Sequence, residues 1–157
     1  MNDLKDPRIH IVAVTADIIK DGRFLILKRS EREIAFPGKW TVPGGKLVLT
    51  EYKSLPKDNS YAWKDVVEFT LRKEIKEEAG IEVDKLHYFG NWNFIRPDGI
   101  PVLMLKHWCK YKSGEVKPGK DITDFSWVSP QDLKKYDLIE GICDELKQVE
   151  KILKSGG

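Results

Sequence analysis

The segment Lys73-Glu74-Ile75-Lys76-Glu77-Glu78-Ala79-Gly80-Ile81 constrains this chain more than any other stretch. As a helix it sets Glu74, Glu77 and Glu78 at i, i+3 and i+4, so three carboxylates share one face. Like charges at that spacing cost roughly 0.2–0.5 kcal/mol per pair, and folding alone gains nothing from them. A bound hard cation such as Mg²⁺ or Mn²⁺, which prefers carboxylate and carbonyl oxygens, removes the penalty. Gly80 followed by Ile81 ends the helix in the usual way, with glycine just past the last turn. Taken alone, these residues also suit a solvated helix rich in Lys and Glu. Upstream, however, Trp40-Thr41-Val42-Pro43-Gly44-Gly45-Lys46 reads as a short strand closed by a Pro-Gly-Gly turn. Such a turn lets backbone carbonyls approach a ligand or a metal closely.

Together, the glycine turn, the loop after it and the acidic helix ending in Glu-Glu-x-Gly resemble the Nudix hydrolases. The box of that family runs G-x5-E-x7-R-E-U-x-E-E-x-G-U, with U an aliphatic residue. Gly45, Glu51, Glu74, Ile75, Glu77, Glu78, Gly80 and Ile81 match it. Two positions depart from it. Lys73 stands where the family has arginine, and Arg72 points about 100° away around the helix. A lysine offers a mobile point charge where an arginine fork could hold a carboxylate bidentately. The second departure is length: 21 residues, 52–72, separate Glu51 from Lys73. Counted back from the helix, Asp65 takes the offset of the box glutamate. Glu51 is the favoured holder of that role, because it is tied to the glycine turn.

The resemblance implies a Nudix-type α/β/α sandwich with a mixed β-sheet, in the α/β (α+β) class. It also implies a metal-dependent pyrophosphohydrolase acting on a nucleoside diphosphate linked to another group. A nucleoside triphosphate is the leading substrate, ahead of ADP-ribose or a sugar nucleotide, and non-hydrolytic nucleotide binding is an alternative. By the same resemblance Glu77 and Glu78 are the principal ligands of Mg²⁺ or Mn²⁺. Glu74 is a further ligand or the base, and the Gly45 carbonyl completes the shell. Lys73 fills the arginine role. Asp121 is a second candidate base, against a plainer reading as the start of an Asp121-Ile122-Thr123-Asp124 turn. Arg29, at a strand end, is a candidate phosphate contact. Phe36 and Trp40 are candidate base contacts, although core packing beside the glycine turn suits Trp40 better.

Composition agrees with one domain over residues 1–157, since 41% hydrophobic content can build a single core. A net charge of +2 argues against a nucleic-acid polymer as partner. No apolar run approaches the length of a membrane span, and Met1–Lys5 does not open a signal peptide. Cys109 and Cys143 lack metal-ligand spacing and read as reduced thiols, Cys109 in a strand core, so a cytoplasmic setting is expected. A monomer and a homodimer are both compatible with these features.

Apolar alternation marks a strand over Ile9–Ile19, a turn at Asp21-Gly22 and a strand at Phe24–Arg29. Strands are expected over Leu86–Arg96 and Val102–Tyr111, joined at Pro97–Ile100, and over Phe125–Val128. Trp92, Phe94 and Trp108 alternate on them as core or sheet-face residues, and His10, His87 and His107 have no partner at ligand spacing. Thr50–Ser60 reads as an inserted loop bordering the cleft, with Lys53 or Lys57 in reach of phosphates. Ser60 would cap a helix over Tyr61–Ala79 whose Val67, Leu71, Ile75 and Ala79 face the sheet. Ser129 would cap a helix opened by Pro130, and Glu140–Lys154 would form a last amphipathic helix.

Overall fold

The computed structural model describes residues 6–156, which leaves the Met1–Lys5 opening outside the described residues. β1 (Ile11–Lys20) and β2 (Arg23–Arg29) form the expected hairpin. Its turn residues, Asp21 and Gly22, sit at φ 51° and 76°, the positive pair that a two-residue hairpin with native twist requires. The two strands share the pairs Ile19–Phe24 and Lys20–Arg23 and then part. Beyond the split, β3 (Trp40–Thr41) pairs with β2, and β4 (Gly44–Lys46) pairs with β1 at Ala13–Thr15. The Pro-Gly-Gly segment is therefore strand rather than turn from Gly44 onward. Its missing side chains are the reason: a Cβ on Gly44 would overlap the Val14 carbonyl and crowd the Thr15 methyl.

β7 (Pro101–Ser113) runs parallel to β1 from Ile11–Val102 to Ile19–Lys110. On its far side it pairs antiparallel with β5 (Glu82–Val83) and β6 (His87–Ile95). β8 (Ile122–Val128) pairs antiparallel with β2, completing a mixed sheet of eight strands. Helices cover both faces. α2 (Val66–Ala79) buries Leu71, Ile75 and Ala79 against Val14, Ala16, Ile18, Leu25 and Leu27, with Val67 alongside, as the i+4 ladder requires. α3 (Ile142–Lys154) buries Ile142, Leu146 and Val149 on the other face, against Phe24, Ile26 and Trp108. Alternate residues of β2 thus feed two cores, as in a strand covered on both sides. Cys109 lies fully buried in the first core, and among the described residues no helix is long and apolar enough to cross a membrane.

Several expected boundaries shift. The long helix begins at Val66, not Tyr61, because Asp65 adopts a left-handed backbone at φ 60°. Asn59, not Ser60, organises the approach: its side-chain carbonyl accepts the N–H groups of Tyr61 and Ala62. Trp63 is then tied back by its indole N–H to the Leu55 carbonyl and by edge contact with Tyr52. The first part of the expected loop is a single helical turn, α1 (Leu49–Tyr52). Pro130–Lys135 is a 3₁₀ turn with proline leading it, and the Ser129 hydroxyl bonds the Asp132 carboxylate instead of a backbone N–H. α3 starts at Ile142, behind Gly141 at φ 95°. Ile122–Asp124 is strand rather than turn, since the turn falls earlier, where the Ile122 N–H meets the Gly119 carbonyl.

Candidate active site

α2 supplies the acidic face, and Lys73 binds it together. The Lys73 ammonium lies 2.8 Å from Glu77 Oε1, 3.0 Å from Glu51 Oε2 and 3.9 Å from Glu74 Oε1. Hydrogen bonds to Glu77 first and Glu51 next hold its pKa well above the ordinary lysine value. Glu51 reaches this point because α1 turns it back toward α2. Asp65 stands at the start of α2, its side chain making no capping bond. The 21-residue separation in sequence is therefore closed in space from the Glu51 end. Arg72 lies elsewhere on the helix, as its 100° offset dictates, bonded to Glu68 and to the Val83 and Asp84 carbonyls.

Glu78 lies deepest. Its Oε1 accepts the Gly44 N–H at 2.9 Å, which ties α2 to β4. Burial pushes the Glu78 carboxyl up to about 7; the Gly44 N–H opposes the shift, and the charges of Glu74 and Glu77 add to it. Glu74 is raised as well, by burial and then by the charge of Glu77, against the pull of Lys73. Gly45 makes room for it, since a Cβ there would overlap the Glu74 carboxyl. Gly80 ends α2 at φ 73°, as the sequence requires.

The remaining expected residues are spread around this centre. Arg29 ends β2, donates to the Ala35 carbonyl at 3.0 Å, and lies near enough to Glu78 to lower its pKa. Phe36 is 52% exposed with φ 50°. Trp40 instead packs edge-on to Tyr136, 5.0 Å between ring centroids, within the second core. Asp121 is exposed, and its backbone carbonyl accepts the Ser30 N–H; among the described residues its carboxylate makes no hydrogen bond or ion pair. Lys57 sits over the Trp63 ring at 5.0 Å. Sequence reasoning missed the Gly44 N–H as a partner of Glu78. It also missed a buried group of Asp17, Lys106 and Glu145 on the opposite face, although an Asp inside the apolar run Ile11–Ile19 was a signal.

Among the described residues, no three His, Cys, Asp or Glu side chains already converge as a cation cage. The donor set nevertheless suits a hard cation. It consists of oxygen atoms only, with two carboxyls pushed upward by burial and then by neighbouring carboxylate charge, and a single lysine set against four glutamates.

A NUDIX domain family model matches residues 9–143. This chain belongs to the Nudix hydrolase family. The nucleoside triphosphatase NudI of Escherichia coli K12 is 30% identical over 132 residues, which covers 77% of this chain and 83% of that protein. The crystal structure of a MutT Nudix hydrolase from Burkholderia pseudomallei superposes with a TM-score of 0.71 at 25% identity, covering 90% and 99% of the two chains. MutT protein from Methanosarcina mazei Go1 gives 0.70 at 27% identity, covering 96% and 99%. The NUDIX domain of Shewanella oneidensis NrtR, solved with ADP ribose, has the same fold at 15% identity, with a TM-score of 0.72 over 98% and 99% of the chains. As a Nudix hydrolase, the chain is a pyrophosphohydrolase of nucleoside diphosphate derivatives.

Proposed function

We propose that this Nudix hydrolase acts on a nucleoside triphosphate, releasing a nucleoside monophosphate and pyrophosphate in the presence of Mg²⁺ or Mn²⁺. One observation carries the reading: the Lys73 ammonium joins Glu51, Glu74 and Glu77 on one side of Glu78, leaving more carboxylates than cations at one point. The similarity to a protein named as a nucleoside triphosphatase supports the substrate class. Glu77 and Glu78 would be the main cation ligands, with Glu74 and the Gly45 carbonyl beside them. The bound cation would neutralise charge developing on the phosphates and sharpen the attacking water.

The chain's own residues do the rest. Lys73 holds Glu51 and Glu77 in fixed rotamers, so the acidic face is organised before substrate arrives. Gly44 orients Glu78 through its N–H. Water attacks phosphorus, the anhydride oxygen leaves with pyrophosphate, and the water proton passes to a carboxylate. Glu74, with its raised pKa, is the first candidate to take that proton, and Asp121 is the second. Arg29 would meet a phosphate if it leaves the Ala35 carbonyl. Phe36 would offer an exposed ring to the base, and Trp40 would act from behind as packing. The two free thiols suit a reducing, cytoplasmic setting. A panel of nucleoside triphosphates, ADP-ribose and sugar nucleotides, with Mg²⁺ or Mn²⁺ and product analysis, tests the reading. Pyrophosphate and monophosphate from a triphosphate are expected. Turnover of ADP-ribose alone would refute the triphosphate assignment.

A further inference from the structure

The segment that links β7 to β8, residues 114–121, crosses the C-terminal end of α2 and is held there by main-chain bonds. Where it leaves β7, the Tyr111 hydroxyl donates to the Gly114 carbonyl at 2.6 Å. Further on, the Lys117 N–H donates to the Ala79 carbonyl at 2.8 Å, and the Gly119 N–H to the Glu78 carbonyl at 3.0 Å. Pro118, between them, has no N–H to offer. The Ile122 N–H then closes a turn on the Gly119 carbonyl at 3.1 Å, and the Ser30 N–H donates to the Asp121 carbonyl at 3.1 Å. Backbone contacts thus run without a break from the last turn of α2 to the end of β2, where Arg29 stands.

Gly119 is the tightest point of this segment. A Cβ there would overlap the Glu77 carbonyl and come within 3.4 Å of Glu78 Cα. Its φ lies outside the left-handed region, so lack of room rather than backbone angle calls for glycine. The peptide it touches joins Glu77 to Glu78, the two carboxylates proposed above as the main cation ligands. Their place on α2 is costly. The C-terminal end of a helix carries about half a negative charge, concentrated on its last carbonyls, and both acids lie in that turn. The N–H groups of Lys117 and Gly119 occupy two of those carbonyls and turn the positive ends of their dipoles toward the helix end. The segment therefore fixes the direction in which Glu77 and Glu78 leave the helix and offsets part of the field that opposes their charge.

We infer that Gly119 is a positioning residue of the cation site, seating residues 114–121 on the Glu77–Glu78 peptide so that both carboxylates are held for one cation. The inference rests on the cation ligands proposed above. A side chain at position 119 lifts the segment from α2, breaks the bond to the Glu78 carbonyl and frees the last turn of the helix. Gly119 acts through Glu77 and Glu78 and touches neither cation nor substrate.

The test titrates Mg²⁺ and Mn²⁺ into substrate-free protein by calorimetry, beside the Mg²⁺ dependence of kcat and KM. Gly119→Ala is expected to weaken cation affinity roughly tenfold, as loss of support behind a metal ligand does, with KM at saturating Mg²⁺ unchanged. Lys120→Ala, exposed in the same segment, should match wild type. A purely structural role would lower the melting temperature but leave the cation affinity of the folded protein as it was, and that result overturns the inference. Should Gly119→Ala fail to fold, amide exchange in wild-type protein decides. Saturating Mg²⁺ should slow exchange of the Gly119 N–H roughly tenfold, because coupling between cation and segment is reciprocal. Equal exchange with and without Mg²⁺ overturns the inference. The expected Gly119 effect on cation affinity without any triphosphate turnover would instead refute the proposed substrate and leave the positioning role standing.

Discussion

Two lysines in this protein organise carboxylates, and they do so under opposite conditions. Lys73, on the solvent side of α2, faces Glu51, Glu74 and Glu77 with Glu78 behind them, and its side chain is partly exposed. Lys106 lies beneath α3, buried and paired with Glu145, beside an Asp17 whose burial holds its carboxyl well above the usual carboxylate range. The first group has an excess of negative charge at the edge of the fold, where a cation can enter. In the second, Lys106 and Glu145 form a buried ion pair, so removing one of them leaves an uncompensated buried charge. Burial and stoichiometry, not residue type, separate the proposed cation site from the buried pair.

The largest effect that would break this contrast lies in the closed group. Glu145→Ala should destabilise the protein by about 3 kcal/mol, measured by denaturant unfolding, because Lys106 loses its buried counter-charge. A change under about 1 kcal/mol would mean that the group is effectively solvated and the contrast false.

In the open group, Glu78→Gln should lower kcat by roughly 10²-fold with the helix content kept, since Gln has nearly the same helix propensity. It should also leave the metal-free protein as stable or more stable, by relieving the like-charge crowding. Full activity at saturating Mg²⁺ would remove Glu78 from the cation shell.

The pH behaviour sharpens the same point. Glu78 titrates near 7 in the folded chain, above the ordinary glutamate value of 4.5, so folding favours its neutral form. The resulting stability is present below about pH 4.5 and is lost as pH rises through 7. Metal-free protein should therefore lose on the order of 1–3 kcal/mol from this residue between those values, by chemical denaturation at each pH. Mg²⁺ must displace the same proton, so its apparent affinity should weaken as pH falls from 8 to 6, by calorimetric titration. A pH-independent affinity would contradict ligation through Glu78.

The next effect is smaller. Lys73→Arg should keep or raise kcat/KM, Lys73→Ala should lower it several-fold, about 1 kcal/mol, and Arg72→Ala should change it little. Collapse at Arg72 with indifference at Lys73 would reverse the assigned helix register. The smallest expected change concerns the insertion: replacing Lys53–Asn59 with a short Gly-Ser link should raise KM by about two- to fivefold with the melting temperature unchanged. Wild-type kinetics would make the insertion a passive one, which loop closure tolerates cheaply.

Much of this site was legible because its rules are local. Glu74, Glu77 and Glu78 share a face by helical period, Gly80 ends their helix by its left-handed backbone, and Asp21-Gly22 turns the first hairpin. The resemblance to the Nudix box added Glu51 and Gly45. What stayed hidden depends on partners distant in sequence. The helix start was misplaced by the left-handed backbone at Asp65, and Trp63 and Asn59 shape the approach through contacts that no periodicity records. Trp92 and Phe94 read as core or sheet-face residues, and the structure leaves both partly exposed, because alternation says which residues share a face, not whether anything covers it.

The sequence by itself determined the acidic face and the hairpins, because each follows from backbone period and turn chemistry within a few residues. Tertiary structure alone decided that Glu51 and not Asp65 meets Lys73, that Gly44 holds Glu78, and that Asp17, Lys106 and Glu145 share one buried pocket of charge. Those outcomes depend on which strands lie side by side and what α3 covers, and charge interactions at such contacts change with distance and burial rather than with sequence spacing.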